Sequence, residues 1–357
     1  MSDPLNRASD FASAYGLQVP ILMAPMAGAC PASLAIAVGN AGGMGACGTV
    51  LMSSEQIEAW VSDYRAGTSA ALQLNTWIPS PEPARDAEHE ALLCSFLKGW
   101  GPTVDPGAAD KPQPDSQAQC RAMLEACPAV ISSIMGVFDA GFIAQVKDAD
   151  IKWFATATTV GEALIAEAAG ADAIVAQGME AGGHRGAFYA EKAETELIGL
   201  FSLLPAVVDA VNVPVVATGG IADGRGVAAA LILGASAVQI GTGLLRSPEA
   251  KIAPAWADAI GSSRPEETIA TRSFSGRLGR SIRTRYAEAT LAADAPRAAP
   301  YPIQRHLTQA MRLEGMRTDD IDRIQAWAGQ SAGSARAVPA AEIVEDMWRE
   351  AKTLLAG

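Results

Sequence analysis

Eight short apolar runs alternate with stretches of helical character, and this alternation limits the fold more than any other feature of the sequence. The runs lie at 20–25 (PILMAP), 45–50 (GACGTV), 70–75 (AALQLN), 129–135 (AVISSIM), 152–157 (KWFATA), 173–178 (AIVAQG), 213–218 (VPVVAT) and 237–241 (AVQIG). Each is strand-length and nearly continuous in apolar character, as strands buried on both faces of a parallel sheet are. Helical patterns lie between them, for example at 31–41, 54–66, 159–169, 199–211 and 224–233. Thr159, with Glu162 three residues on, predicts a capping box at the start of one of these helices. A strand-then-helix unit repeated eight times predicts an α/β fold, and favours a closed (β/α)8 TIM barrel over an open doubly wound sheet.

The chain's 357 residues exceed the roughly 250 that a plain barrel needs. The surplus falls in two places. Residues 78–116 hold many of the prolines (IPSPEP, GPTVDPG, DKPQP), which predicts a loop-rich insertion with one helix near 86–100. Residues 264–357 follow the eighth unit and read as an irregular arm (264–300), then helices near 301–313, 318–328 and 339–354. The expected division is a barrel over 1–260, with its insertion near 78–128, and a substrate-covering region over 261–357. Insertion and C-terminal segments together would form a small, mainly helical additional domain.

Composition narrows the partners. A formal net charge of −12 argues against a nucleic-acid backbone or an anionic membrane, both of which need clustered positive charge. An anionic cofactor can still be held by backbone N–H groups and helix N-termini. The stretches 19–54 and 226–245 carry no charge, but Gly, Pro, Asn, Ser and Gln interrupt them, so they read as strand and helix pieces and not as membrane spans. The five cysteines are odd in number and include no C-x-x-C, which fits a reducing cytoplasm and neither a disulfide framework nor a zinc site. MSDPLNRASD has no signal-peptide pattern, and H-E-x-x-H and G-x-S-x-G are absent. A cytoplasmic monomer or homodimer without a metal is expected.

Four glycine- or methionine-rich segments are candidates for chemistry. Gly43-Met44-Gly45-Ala46-Cys47-Gly48 fits G-x-G-x-x-G, but a helix precedes it and a strand follows. A dinucleotide site needs the reverse order, so these glycines read as close packing of a helix end on a strand. Gly219-Gly220-Ile221-Ala222-Asp223-Gly224-Arg225-Gly226 follows the seventh strand, and Gln239-Ile240-Gly241-Thr242-Gly243 the eighth. Barrels bind phosphate with these two loops, because glycines let backbone N–H groups approach an anion closely. Gly178-Met179-Glu180-Ala181-Gly182-Gly183-His184-Arg185-Gly186 follows the sixth strand, where barrel active sites sit. His184, one of three histidines, would be brought close to a ligand by the glycines around it, and a near-neutral imidazole suits proton transfer. Glu180 reads as an ion-pair partner for Arg185. Met23-Ala24-Pro25-Met26-Ala27-Gly28 ends the first strand and reads equally as plain core or as an apolar bed for a planar ring. Asn75 and Gln177 end the third and sixth strands. Amides there are costly unless hydrogen-bonded, and the edge of an isoalloxazine would satisfy them.

These segments, in this order, resemble the class I nitronate monooxygenases, once called 2-nitropropane dioxygenases. PILMAPMAGACPASLAIAVGNAGGMGACG, ALQLNTWIPSP, the stretch ending EAGGHRG, GGIADGRG and QIGTGLLRSPEA carry the likeness, and TIATRSFSGRLGRSI, YPIQRHLTQAMR and IQAWAGQSAG extend it to the tail. It is weakest at 80–128. The resemblance implies FMN in the barrel, and the conversion of a nitronate and O2 to a carbonyl compound and nitrite without nicotinamide. It implies that Met23, Ala24, Met26, Asn75, Gln177, Gly182, Gly219, Gly220, Gln239, Ile240, Gly241 and Thr242 line FMN, and that His184 is the active-site histidine. Some members carry several tyrosines and a lysine in the stretch matching 301–309. Here Tyr301, Arg305 and Gln309 stand, which makes Tyr301 and Arg305 the candidate substrate residues. Two rival readings share the scaffold: an FMN-dependent NAD(P)H reductase of enoyl-acyl-carrier-protein or quinone type, and a non-catalytic flavin- or phosphate-binding module.

Overall fold

The computed structural model of the chain describes residues 3–105 and 107–356; Met1, Ser2, Gly357 and Pro106, one proline of the predicted insertion, lie outside the described residues. All eight expected strands form. They are β1 (Ile21–Met23), β2 (Gly45–Gly48), β3 (Leu72–Trp77), β4 (Val130–Ile134), β5 (Lys152–Ala157), β6 (Ala173–Gln177) and, after a two-residue strand β7 (Gly183–His184), β8 (Val215–Thr218) and β9 (Ala237–Ile240). Parallel pairing runs β1-β9-β8-β6-β5-β4-β3-β2. The ring closes where Met23 N–H donates to the Met44 carbonyl at 2.9 Å and Met44 N–H to that of Ile21 at 3.1 Å.

Alternation along each strand sorts the side chains into two layers. Ile21, Met23, Leu74, Ile131, Trp153, Ile174, Val238 and Ile240 face outward into the main core beneath the surrounding helices. Leu22, Val130, Phe154, Ala173, Val175, Val216 and Ala237 fill the lower barrel, closed from below by Phe11 of the helix Pro4–Ala14. Higher up, the inward positions turn polar, with Gln73, Asn75, Ser132, Thr156, Gln177, Thr218 and Gln239 all buried. This change from apolar to polar sets the carboxyl end of the barrel as the place for a ligand.

The misleading G-x-G-x-x-G behaves as close packing. The helix Ala32–Asn40 precedes it and β2 lies within it. A Cβ on Gly43 would sit 2.5 Å from the Ile21 carbonyl oxygen, and one on Gly45 2.7 Å from the Tyr64 ring. The two charge-free stretches are strand and helix pieces; among the described residues no helix is long and apolar enough to cross a membrane.

The insertion and the C-terminal arm build a second core together. Leu93 and Leu97 of the helix Ala87–Leu97, with Val104 and Ala108, pack on Phe274, Tyr286, Ile303, Leu307 and Met311. Three details differ from expectation. The arm at 264–300 is not irregular: it holds β10 (Thr268–Thr271), β11 (Gly279–Ile282) and the helix Arg285–Ala289. β11 pairs antiparallel with both β10 and β7.

Residues 318–328 do not form a helix. Asp319 takes a left-handed φ of +53° and ends the helix Gln309–Thr318. The backbone beyond is spent on β11, with Trp327 bridged to Ser281 and Ile282 N–H donating to the Ala326 carbonyl. The capping box at Thr159 is half made. Its hydroxyl accepts from Glu162 N–H at 3.1 Å, but the Glu162 carboxylate turns to the Thr158 N–H and hydroxyl and to Phe188 N–H. The last helix, Ala340–Leu355, packs on the barrel, placing Ile343, Val344, Met347 and Ala351 in the main core.

Candidate active site

A cavity of about 420 Å³ opens at the carboxyl end of the strands. Its walls bring together Ala24 and Met26 after β1, Asn75 on β3, Gln177 on β6, and Gly182 and His184 on the loop after β6. Gly219 and Gly220 after β8, Gln239, Gly241 and Thr242 at the end of β9, and Tyr301 and Arg305 from the cover complete this set. Met23 and Ile240 are the exceptions. Both are fully buried in the main core. Strand parity turns them to the outer face, so the ring-lining contact inferred for them is not made by their side chains.

The glycine loops leave room where other residues would fill it. Gly219 and Gly220 adopt φ of +107° and +72°, which side chains rarely tolerate. A Cβ on Gly28 or Gly183 would meet nothing within 4 Å, because both border the cavity. Asp223 accepts from Gly226 N–H at 3.0 Å and caps the helix Gly224–Ile232 beside these loops. The Thr242 hydroxyl oxygen accepts from Gly329 N–H at 2.9 Å, which leaves its proton free to donate.

The loop after β6 is fixed from beneath. Gln177 Nε2 donates to the His184 carbonyl at 3.1 Å, and its Oε1 accepts from Gly186 N–H at 2.7 Å. Both ends of this amide are therefore committed to the loop. The expectation that a ligand must satisfy Gln177 fails because its neighbour's backbone already does. Asn75 is half satisfied: Nδ2 donates to Ser132 Oγ at 2.9 Å, while Oδ1 has no protein partner among the described residues. Gln239 Oε1 accepts from Gln73 at 3.4 Å, and its Nε2 is likewise unpartnered. Arg185 makes no ion pair with Glu180. It is buried and donates to the carbonyls of Gln177, Thr158 and Glu196 at 2.7, 3.2 and 3.1 Å. Both Glu180 oxygens instead accept from Leu200 N–H, at 2.9 and 3.0 Å, capping the helix Leu200–Ala210.

His184 sits on β7, held by pairing with Gly279 of β11. Its Nε2 lies 2.7 Å from Ser275 Oγ, a fully buried hydroxyl. Trp77 and Trp327 stand edge-on to the imidazole, with ring centres at 4.6 and 4.9 Å, and Tyr301 lies 5.1 Å beyond Trp77. Burial in this aromatic box, with the cations Arg305, Arg277 and Arg312, pushes the imidazole pKa down to about 3. His184 is neutral at ordinary pH. The Tyr301 hydroxyl donates to Gln113 Oε1 at 2.7 Å, so the insertion steadies the cover.

Trp77, Trp327, Ser275 and Arg312 escaped the sequence reading. No local pattern marks them: Ser275 is 91 residues from His184. The tryptophans offered a faint signal, since Trp77 ends a strand and Trp327 lies in IQAWAGQ. Among the described residues, no cluster of three or more His, Cys, Asp or Glu side chains could hold a metal ion.

The sequence model for nitronate monooxygenase matches residues 10–350. A probable nitronate monooxygenase of Staphylococcus aureus (strain MSSA476) is 34% identical over 344 residues, covering 95% of this chain and 96% of its own. Nitroalkane oxidase from Streptomyces ansochromogenes is similar in structure with a TM-score of 0.86 at 34% identity, over 95% of this chain and 98% of its own. FabK from Thermotoga maritima gives a TM-score of 0.76 at 28% identity, over 97% of each chain.

Proposed function

The chain belongs to the nitronate monooxygenase family of flavin-dependent oxidoreductases, and from this premise we propose that it uses FMN and O2 to convert alkyl nitronates, or neutral nitroalkanes, to carbonyl compounds and nitrite. The observation that carries the proposal is the placement of a neutral His184 on the wall of the same cavity that the glycine loops line. The residues present fit FMN. Gly28 and Gly183 leave space that a Cβ would take. Asn75 Oδ1 and Gln239 Nε2 offer one free acceptor and one free donor at the cavity wall, as the edge of a flavin ring requires.

In this reading Gly219, Gly220, Gly241 and Thr242 hold the phosphate through backbone N–H groups and a hydroxyl. Ala24 and Met26 form the apolar bed under the ring, and Gly182, whose Cβ would lie 2.5 Å from Gly329 N, lets the loop pack close against that backbone at the cavity wall. FMN, when bound, supplies electron transfer from the nitronate and the reaction with O2.

The protein's own part is placement and electrostatics. Arg305 and Arg312 draw the anion into the cavity, and Tyr301 and Trp77 shape its walls. Trp77 and Trp327 shield part of the imidazole from water, which strengthens the charge interactions there. Ser275 Oγ lies 3.3 Å from the Arg277 carbonyl, to which its hydroxyl can donate. His184 Nε2–H then donates to Ser275, which leaves Nδ1 free of its proton. That nitrogen takes the α-carbon proton of a neutral nitroalkane, while the oxygens of a nitronate, which can only accept, are met by the guanidinium donors of Arg305 and Arg312. A base already unprotonated at ordinary pH needs no acid limb near its usual range.

His184→Asn with FMN retained is the test. Turnover of nitroalkanes should fall by about a hundredfold or more; undiminished turnover of both substrate types would remove His184 from the mechanism. The reductase reading shares the scaffold, as FabK does, but the greater likeness is to the nitroalkane oxidase.

A further inference from the structure

Two guanidinium groups on the cavity wall have no counter-charge. Arg305 lies in the short helix Ile303–Leu307 and Arg312 in Gln309–Thr318, with Thr308 joining the two. Seven residues apart, they fall on one face. Both line the cavity. Arg312 donates Nε–H to Thr308 Oγ1 at 3.1 Å and Nη2–H to the Arg305 carbonyl at 2.8 Å, and its Nη1 has no protein partner among the described residues. Among the described residues the Arg305 guanidinium makes no hydrogen bond, and no carboxylate lies within ion-pair distance of either group. Other arginines near the site that lack an ion pair spend their donors on the protein: Arg185 on three carbonyls, Arg277 on Ser80 Oγ, and Arg280 on the Met179 carbonyl and Thr268 Oγ1.

The pair repels itself, and burial adds to the cost. Burial first, and the repulsion of Arg305 after it, push Arg312 down to about 9, so it still carries its charge at neutral pH. Two half-buried like charges on one cavity wall are costly, and a ligand that offsets them is favoured. The planar fork of a guanidinium matches a planar pair of oxygens. One anionic group offsets one arginine, so a second needs a second. Both groups stand on the cover beside His184, and the glycine cradle belongs to the barrel loops, so a phosphate held there does not replace this ligand.

We propose that Arg305 and Arg312 form an oxyanion subsite, and that short dicarboxylates are reversible ligands of the substrate cavity. A carboxylate has the shape and charge of a nitronate head: two oxygens on a planar centre and one negative charge. A molecule with two such heads, a few carbons apart, can engage both guanidiniums, one head lying in the space where a nitronate would react. The inference rests on the proposed function only for that last point, because binding needs no turnover.

The experiment uses the flavin-loaded protein at constant ionic strength. Malonate, succinate and glutarate are titrated against acetate, propionate and butyrate, followed by the flavin difference spectrum and by inhibition of nitronate oxidation. We expect the best dicarboxylate to bind at least tenfold more tightly than its monocarboxylate counterpart and to compete with nitronate. Arg305→Gln and Arg312→Gln should each erase that preference while monocarboxylate binding changes little. Arg305→Gln breaks no hydrogen bond of the fold, so it remains informative if the Arg312 variant fails to fold. Equal affinities for the two series, or an undiminished preference in Arg305→Gln, would overturn the proposal. The spectral readout is independent of nitronate chemistry: dicarboxylate binding without nitronate turnover would sink the proposed function alone, and the reverse would sink the subsite alone.

Discussion

His184 ties the stability of the protein to pH in a way that one substitution exposes. In the native state its pKa is about 3; in the unfolded chain it returns to about 6.5. Between these values the unfolded chain binds one proton that the native imidazole does not. Stability therefore falls as pH falls through this window, and the contribution is fully present above about pH 6.5. The slope for one proton is about 1.4 kcal/mol per pH unit. From pH 6 to pH 4, with the unfolded histidine already partly charged at the upper end, the loss comes to about 2.5 kcal/mol. For a chain of 357 residues this is roughly 3 °C in Tm. His184→Gln keeps a polar group near Ser275 but does not titrate. Urea unfolding of wild type and variant, both flavin-loaded, at half-unit steps from pH 4 to pH 7.5 isolates the difference. Between pH 6 and pH 4 wild type should lose about 2.5 kcal/mol more than the variant. Parallel curves would mean that His184 is solvated, and that the aromatic box and the arginines do not act on it as argued.

Other consequences follow from the same geometry. The pH profile of kcat/KM on a nitronate should show no acid limb near pH 6.5, and in Trp77→Ala, which opens the box to water, the extra pH slope of stability should shrink. Arg185→Met leaves two buried carbonyls and one part-buried carbonyl without their donor and should cost about 3–5 kcal/mol in urea unfolding, with no new pH dependence. Gly219→Ala puts a side chain at φ +107° with its Cβ 3.1 Å from Ala181 N; FMN should bind at least about tenfold more weakly by fluorescence titration, a loss of about 1.4 kcal/mol.

The barrel was legible because its signal is local. Each strand is a short apolar run, each helix a run of different period, and their order alone implies parallel pairing. The loops of the site were legible for the same reason: glycines cluster at strand ends, and barrels put ligands there. Strand parity also decides that Met23 and Ile240 face outward, since Leu22 and Gln239 beside them face in. Read strand by strand, the sequence would have separated them from Ala24 and Gly241.

What escaped was non-local. β7 is two residues long and exists because β11, nearly a hundred residues later, pairs with it. The partners of Gln177 are backbone atoms of a loop whose path no residue type announces. Ile321, Ile324 and Trp327 have helical spacing, but pairing with β11 outweighs it. Arg312 looks like any surface arginine of a helix until the fold turns it into a cavity.

The most direct test is an anaerobic spectrum of the flavin-loaded protein, titrated first with propionate 3-nitronate and, in a separate sample, with NADH. The proposed function predicts that the nitronate changes the flavin absorbance, that admitting air releases nitrite, and that NADH leaves the spectrum unaltered. Bleaching by NADH with no response to the nitronate would contradict it and identify a reductase.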